Sequence, residues 1–276
     1  MELTDHNNHK YSFEVFQKRM LGILKYIDKI ARENDIPYFL AYGTLIGAVR
    51  HKGFIPWDDD ADIMISRDNY YRLVDAIVKD NNERYKIMCL QTDKDWYTSC
   101  GRVVDMHTDI GEPFSRTLKH HHVFVDIMPM DGMPENNLVC KLHFYLMSYY
   151  KAMARCADHE YVVDYEKHPL IKKILMPIAS IRGARYWGEK ADNLAKKRDY
   201  NTHRLVCYGA ANKKEGEITK EAYASAIYTD FEDTKLAIPV GYDEILKGQY
   251  GDYMQLPPVE QRHVGHLFDV YDLGED

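Results

Sequence analysis

With 276 residues, 45% of them hydrophobic and 29% charged, the chain can bury a large core and has the composition of an ordinary globular protein. Its net charge of -7 comes without a basic stripe or an aromatic-basic repeat, which argues against nucleic acid as a partner. Five cysteines without CxxC spacing support neither a disulfide framework nor a zinc knuckle, and no apolar stretch reaches the roughly 18 residues of a membrane span.

The polar start predicts no cleavable signal, so a cytoplasmic protein with reduced thiols is expected. From Ser12 to Asn34, Phe13, Phe16, Met20, Ile23, Leu24, Ile27 and Ile30 recur at helical spacing and predict a long amphipathic helix. Tyr38 to Tyr42 reads as a short strand. Gly43-Thr44 then supplies a turn into a helical start that continues through Gly47 to Arg50, with Thr44 as the expected N-cap. Such a turn offers free amides and the positive end of a helix dipole, which suit a phosphate. Arg50 and His51 follow it and are candidate phosphate contacts.

The segment Trp57-Asp58-Asp59-Asp60-Ala61-Asp62-Ile63-Met64-Ile65 places four carboxylates within five residues ahead of an apolar run. A strand from Asp60 to Ile65 would set Asp60 and Asp62 on one face, with Ala61, Ile63 and Ile65 on the other and Asp59 turned away. Adjacent carboxylates repel unless a cation lies between them, and a divalent metal with oxygen ligands does that at neutral pH. Asp58 is an additional candidate ligand. A solvated acidic turn is the plainer alternative. A helix-loop-helix calcium site is excluded, because its sixth position is Ile63 rather than glycine and its twelfth is Asn69 rather than glutamate.

A helix is expected from Asn69 to Asn81, then strands at Tyr85 to Gln91, Cys100 to His107 and His122 to Met128. Arg102 falls on the second of these, where a buried guanidinium requires an anion; a donor phosphate would serve. Asp126 sits between Val125 and Ile127 in the third. A carboxylate there is costly unless paired with a cation, so Asp126 is either a third metal-ligating acid or the partner of an Arg or Lys. Asp105 and Asp109 are the reserve candidates. His120-His121-His122 offers at most two ligands on one strand face and is not read as a metal site.

Lys141 to His159 and Pro169 to Lys197 read as longer helices, the second broken near Pro177 and Arg182-Gly183. They define a helical subdomain at about 135–201 within a single domain spanning 1–276. Leu170, Ile171, Ile174, Leu175, Ile178 and Ile181, interleaved with Lys172, Lys173, Arg182 and Arg185, fit either packing against the domain or peripheral contact with the inner face of a membrane. Packing is the expected outcome. The alternation of strands and helices gives an α+β fold, a mixed sheet flanked by helices.

Taken together, "YFLAYGTLIGAVRHKGFIPWDDDADIMI" from Tyr38 to Ile65 resembles the signature of the LicD family of phosphocholine and related phospho-group transferases. "IPVGYDEILKGQYGDYMQLPP", from Ile238 to Pro258, resembles the closing motif of the same family. The resemblance implies a nucleotidyltransferase-like fold, Asp60, Asp62 and Asp126 as catalytic acids holding Mg2+ or Mn2+ with Asp58 nearby, and a CDP-linked donor such as CDP-choline. It also implies a hydroxyl acceptor on a glycan or glycolipid of lipopolysaccharide, teichoic acid or capsule type. Gly43, Thr44, Gly47, Arg50, Trp57 and Arg102 are then the candidate donor-binding residues, Trp57 because aromatic faces hold quaternary ammonium groups. Transfer of a nucleotidyl or phospho-alditol group on the same fold, or a non-catalytic nucleotide- or metal-binding module, are the competing readings.

Overall fold

A computed structural model describes residues 2–4, 10–162, 168–202, 205–208, 218–262 and 269–274. A short antiparallel pair, β1 (Glu2–Thr4) and β2 (Lys10–Ser12), leads into α1 (Phe13–Glu33), whose apolar positions are buried as their spacing requires. The chain then makes β3 (Phe39–Leu40), α2 (Tyr42–Ile46), a π-helical turn (Gly47–His51), β4 (Asp62–Ser66) and α3 (Arg67–Asp80). Three further strands follow: β5 (Tyr85–Met88), β6 (Gly101–Gly111) and β7 (His121–Gly132).

The helical segment comprises α4 (Asn137–Asp158), α5 (Pro169–Ser180) and α6 (Ala184–Ala195). It starts cleanly because the Asn136 side chain accepts from the amides of Leu138 and Val139. Pro177 does not break α5 as expected. The helix runs past it and stops at Ser180, and Pro177 is exposed, so the carbonyl it leaves unbonded can be hydrated. The remaining elements are β8 (Leu205–Tyr208), β9 (Ile218–Thr219), a hairpin of β10 (Ala226–Phe231) and β11 (Thr234–Pro239), α7 (Tyr242–Tyr250) and β12 (Asp269–Asp272).

The main sheet has the order β12-β6-β7-β4-β3, with β5 also on β6 and β8 on β7. It is mixed: β4 and β7 run parallel and the other pairs are antiparallel. Asp62 through Ile65 are all buried, so β4 is covered on both faces in the manner of a parallel strand. The α+β expectation holds.

The helical segment is clamped to the sheet by charge. Arg67, at the first position of α3, donates to both carboxylate oxygens of Asp131 on β7 at 2.9 and 2.6 Å and to Asp192 on α6 at 2.9 Å, and all three side chains are buried. Arg185 of α6 donates to the carbonyls of Leu90 and Asp93, and Gly188 packs so closely on Tyr97 that a β-carbon would collide with the Tyr97 carbonyl. Burial raises the Asp131 carboxyl above the usual carboxylate range although Arg67 pulls it down. The triad therefore fixes geometry at an energetic cost. Replacing Arg67 with Met would leave two buried acids with no guanidinium between them, and urea unfolding should show a loss of about 3–5 kcal/mol.

Candidate active site

The acidic loop is fixed from three sides before it reaches β4. Gln17 of α1 donates to the carbonyls of Ile55 and Asp58 at 3.0 and 3.1 Å. At the hairpin turn, Glu232 accepts from the Phe54 amide at 2.9 Å, and its own amide donates to Lys52 at 2.7 Å. Gly43 abuts the loop, and a β-carbon there would collide with the Asp58 carboxylate.

The strand begins at Asp62, two residues later than expected, so Asp58 to Ala61 do not follow strand alternation. Asp59 consequently does not turn away. It is buried, and one carboxylate oxygen from each of Asp58, Asp59 and Asp60 lies within 4.8 Å of the others.

Parallel pairing of β4 with β7 sets Asp62 directly beside Asp126, and antiparallel pairing of β6 with β7 sets Arg102 on the other side of Asp126. Arg102 Nε donates to Asp126 Oδ1 at 2.9 Å, Glu112 lies 3.5 Å from the same guanidinium, and the Phe124 ring covers it at 3.7 Å. The anion that Arg102 requires is thus supplied by the protein. Asp126 satisfies both readings of its sequence position, as neighbour of a second acid and as partner of an arginine.

The Asp62 carboxyl is pushed well above the usual carboxylate range. Burial is the largest cause, followed by the negative charges of Asp60, Asp126 and Asp58, and Arg102 opposes them. A group held so is short of positive charge, and the donors around it are all carboxylate oxygens, the set preferred by hard divalent cations. The residues fit Mg2+ or Mn2+.

Asp60, Asp62, Arg102 and Asp126 line one cavity of about 440 Å3. Its opposite wall comes from the helical segment: Lys151, Ala154 and Arg155 of α4, and Gly188 and Ala191 of α6. Tyr97 and Glu112 also line it. Lys151, Arg155 and Glu112 are not singled out by the sequence. The i,i+4 spacing of Lys151 and Arg155 on a largely apolar helix was the available signal, because two cations on one stripe imply an anion opposite.

The other candidates lie outside the cavity lining. Thr44 does not cap α2, whose N-cap is Ala41; its hydroxyl is buried and accepts from the Asp62 amide at 2.9 Å, which anchors the start of β4. Gly47 packs against the Gly53 carbonyl. Arg50 donates to the Tyr253 carbonyl of the closing motif at 2.6 Å, and the Arg262 guanidinium lies over the Trp57 ring at 5.3 Å. None of Gly43, Thr44, Gly47, Arg50 and Trp57 lines the cavity. Of the histidine run, His121 is buried and held near 3, chiefly by desolvation, while His120 meets Asp109 at 3.2 Å.

Because folding raises the Asp62 pKa, the folded state binds the more protons, and this group's contribution to stability is lost as pH rises from the unfolded carboxylate range through the raised value. Asp62→Asn removes the repulsion without removing volume. In metal-free buffer near neutral pH, thermal unfolding should show the variant more stable than the parent by about 0.5–2 kcal/mol.

Comparison with known proteins places this arrangement. The family profile described as LicD/FKTN/FKRP, nucleotidyltransferase domain, matches residues 35–170. The chain is 32% identical to the lipopolysaccharide cholinephosphotransferase LicD of Haemophilus influenzae over 266 residues, covering 92% of this chain and 95% of that protein. It is also 30% identical over 129 residues to an uncharacterised protein of Rickettsia typhi, covering 46% of this chain and 40% of that one. An uncharacterised protein of Rickettsia prowazekii is 27% identical over 137 residues, with coverages of 49% and 47%. Similarity along nearly the whole length of one relative, beyond the segment that holds the acids, shows that the chain belongs to the LicD/FKTN/FKRP family and is an enzyme of the transferase class.

Proposed function

We propose that the protein transfers phosphocholine from CDP-choline to a hydroxyl of a glycan or glycolipid precursor, with Mg2+ or Mn2+ held by Asp60, Asp62 and Asp126 and with Asp58 as a neighbouring acid. The observation that carries this reading is the in-register pair Asp62, buried, and Asp126, half-buried, which line one cavity together with Asp60, Lys151 and Arg155. The activity named for the Haemophilus influenzae relative supports the choice of phosphocholine and of a lipopolysaccharide-type acceptor. Among the described residues, Cys89, Cys100, Cys140 and Cys156 are not joined in disulfides, which supports a reducing compartment such as the cytoplasm.

A divalent ion, held by Asp60, Asp62 and Asp126, would supply charge neutralisation to the diphosphate of the donor. The chain's own residues do the rest. Lys151 and Arg155 face the acids from the helical wall and hold the phosphates, while Arg102 fixes Asp126 Oδ1 and so orients that carboxylate toward the acceptor. Asp126 Oδ2 takes the proton of the attacking hydroxyl. A new oxygen–phosphorus bond forms to the phosphocholine group, the bond to the bridging oxygen breaks, and CMP leaves with the electron pair. The 137–195 segment, as part of a single domain, closes the cavity and limits water as an alternative nucleophile.

Purified protein with CDP-choline, Mg2+ and a glycolipid fragment should yield CMP and a phosphocholine-modified sugar, resolved by mass spectrometry. Asp60→Asn, Asp62→Asn, Asp126→Ala and EDTA should each abolish turnover. Pyrophosphate as the product would mean nucleotidyl transfer, and full turnover without metal would remove the metal-centre assignment.

The aromatic residue in the cavity is Tyr97, whereas Trp57 lies under Arg262. One aromatic face contributes roughly 0.5–2 kcal/mol to holding a quaternary ammonium. Tyr97→Leu should therefore raise the KM for CDP-choline about 2- to 30-fold and leave CMP binding little changed. Tyr97→Phe, which keeps the ring and loses only the hydrogen bond to Asp158, should stay close to the parent.

A further inference from the structure

Helix α5 carries apolar residues on both its inward and its outward face. Its inward stripe is Lys172, Leu175, Met176 and Ala179, packed toward Met153, Cys156 and Ala157 of α4, with Lys172 Nζ 2.7 Å from His159 Nδ1. Its outward stripe is Leu170, Ile171, Ile174, Ile178 and Ile181, each at least half exposed and Ile181 80% exposed. Of the six residues expected to pack against the domain, Leu175 does so and these five do not. A helix that is apolar on both faces and still at the surface is short of a partner.

The surroundings say which partner. Lys173 and Arg182 are exposed at either end of the row, and from Pro169 to Gly188 the chain has no acidic residue. A second copy of this helix would bring cations against cations with no acid in the segment to neutralise them. An anionic lipid surface complements both the charge and the apolar row. The face also continues into an aromatic one. Leu138, Leu142, Tyr145 and Tyr149 form an exposed stripe on α4, the Tyr149 ring lies 5.9 Å from that of Trp187, and the Trp187 indole donates to the Ala179 carbonyl of α5. Tyrosine and tryptophan at the margin of an apolar face are suited to the headgroup layer. Among the described residues no helix is long and apolar enough to cross a membrane, so the contact is one of lying on the surface.

We infer that α5, with the adjoining stripe of α4, seats the protein on an anionic membrane surface. Since α5 packs on α4, and α4 and α6 form the helical wall of the cavity, seating α5 brings the active site to the headgroup layer, where a lipid-linked acceptor would present its hydroxyl. That consequence rests on the glycolipid reading above; the membrane contact does not.

The test is flotation of the whole chain with vesicles of phosphatidylethanolamine and phosphatidylglycerol, and with vesicles of phosphatidylcholine alone, which needs neither donor nor metal. The protein should float with the anionic vesicles, less as salt is raised, and much less with phosphatidylcholine. The double variant Ile174→Glu/Ile178→Glu should partition about tenfold less or weaker still, with an unchanged thermal transition. Lys173→Glu/Arg182→Glu, confined to exposed side chains, should also partition about tenfold less and provides the test if the first variant does not fold. Failure of the parent to float with anionic vesicles, or equal flotation of the folded variants, would overturn the proposal. So would light scattering that shows a dimer in the parent and a monomer in Ile174→Glu/Ile178→Glu, which would make this face an interface between copies of the chain.

Discussion

The buried carboxylate of Asp62 is the constraint around which the molecule is arranged. Strand pairing places it beside Asp126, the loop before it brings Asp60 and Asp58 close, and its own burial removes the water that would otherwise solvate its charge. A fold does not accept such crowding for stability, because each added carboxylate raises the cost of the others. The crowding makes sense as a site that is incomplete without positive charge, and its surroundings supply some of that charge in stages. Arg102 takes one oxygen of Asp126, and Lys151 and Arg155 face the acids from the far wall of the cavity.

Holding these groups apart yet facing one another requires the helical segment to be immobile relative to the sheet. Arg67 does this from the residue that follows β4, so the strand carrying Asp62 and the helix lining the opposite wall meet at one guanidinium. A second attachment runs through Asp158 at the end of α4, which accepts from Tyr97, Ser115 and the Thr117 hydroxyl and amide. Tyr97 therefore belongs both to the cavity lining and to the fastening. Buried ion pairs of this kind contribute more to a unique arrangement than to net stability, in keeping with the raised carboxyl of Asp131.

Much of this was readable in the chain because it follows local periodicity. The stripe of α1, the apolar alternation around Asp126 and the two long helices appear close to where spacing put them. The rest depended on partners distant in sequence. Thr44 looked like a helix cap, but its hydroxyl accepts from an amide 18 residues later, which no local rule anticipates. Asp59 was assigned by strand alternation to the wrong side because the strand starts only at Asp62. Arg102 correctly required an anion, and only strand register reveals that Asp126 provides it. The direction of the isoleucines of α5 was misread for the same reason: an amphipathic pattern says that two faces differ, and tertiary packing decides which one is buried.

Two groups of acids are candidates to hold a divalent ion, Asp58-Asp59-Asp60 in the loop and Asp60-Asp62-Asp126 at the cavity, with Asp60 common to both. The most direct measurement is anomalous diffraction from crystals grown with Mn2+ and CDP-choline. A peak is expected at ordinary coordination distance, about 2.1 Å by analogy with small hard cations, from oxygens of both Asp62 and Asp126 and adjacent to the donor diphosphate. A peak confined to Asp58 and Asp59, with Asp62 and Asp126 out of reach, would contradict that expectation.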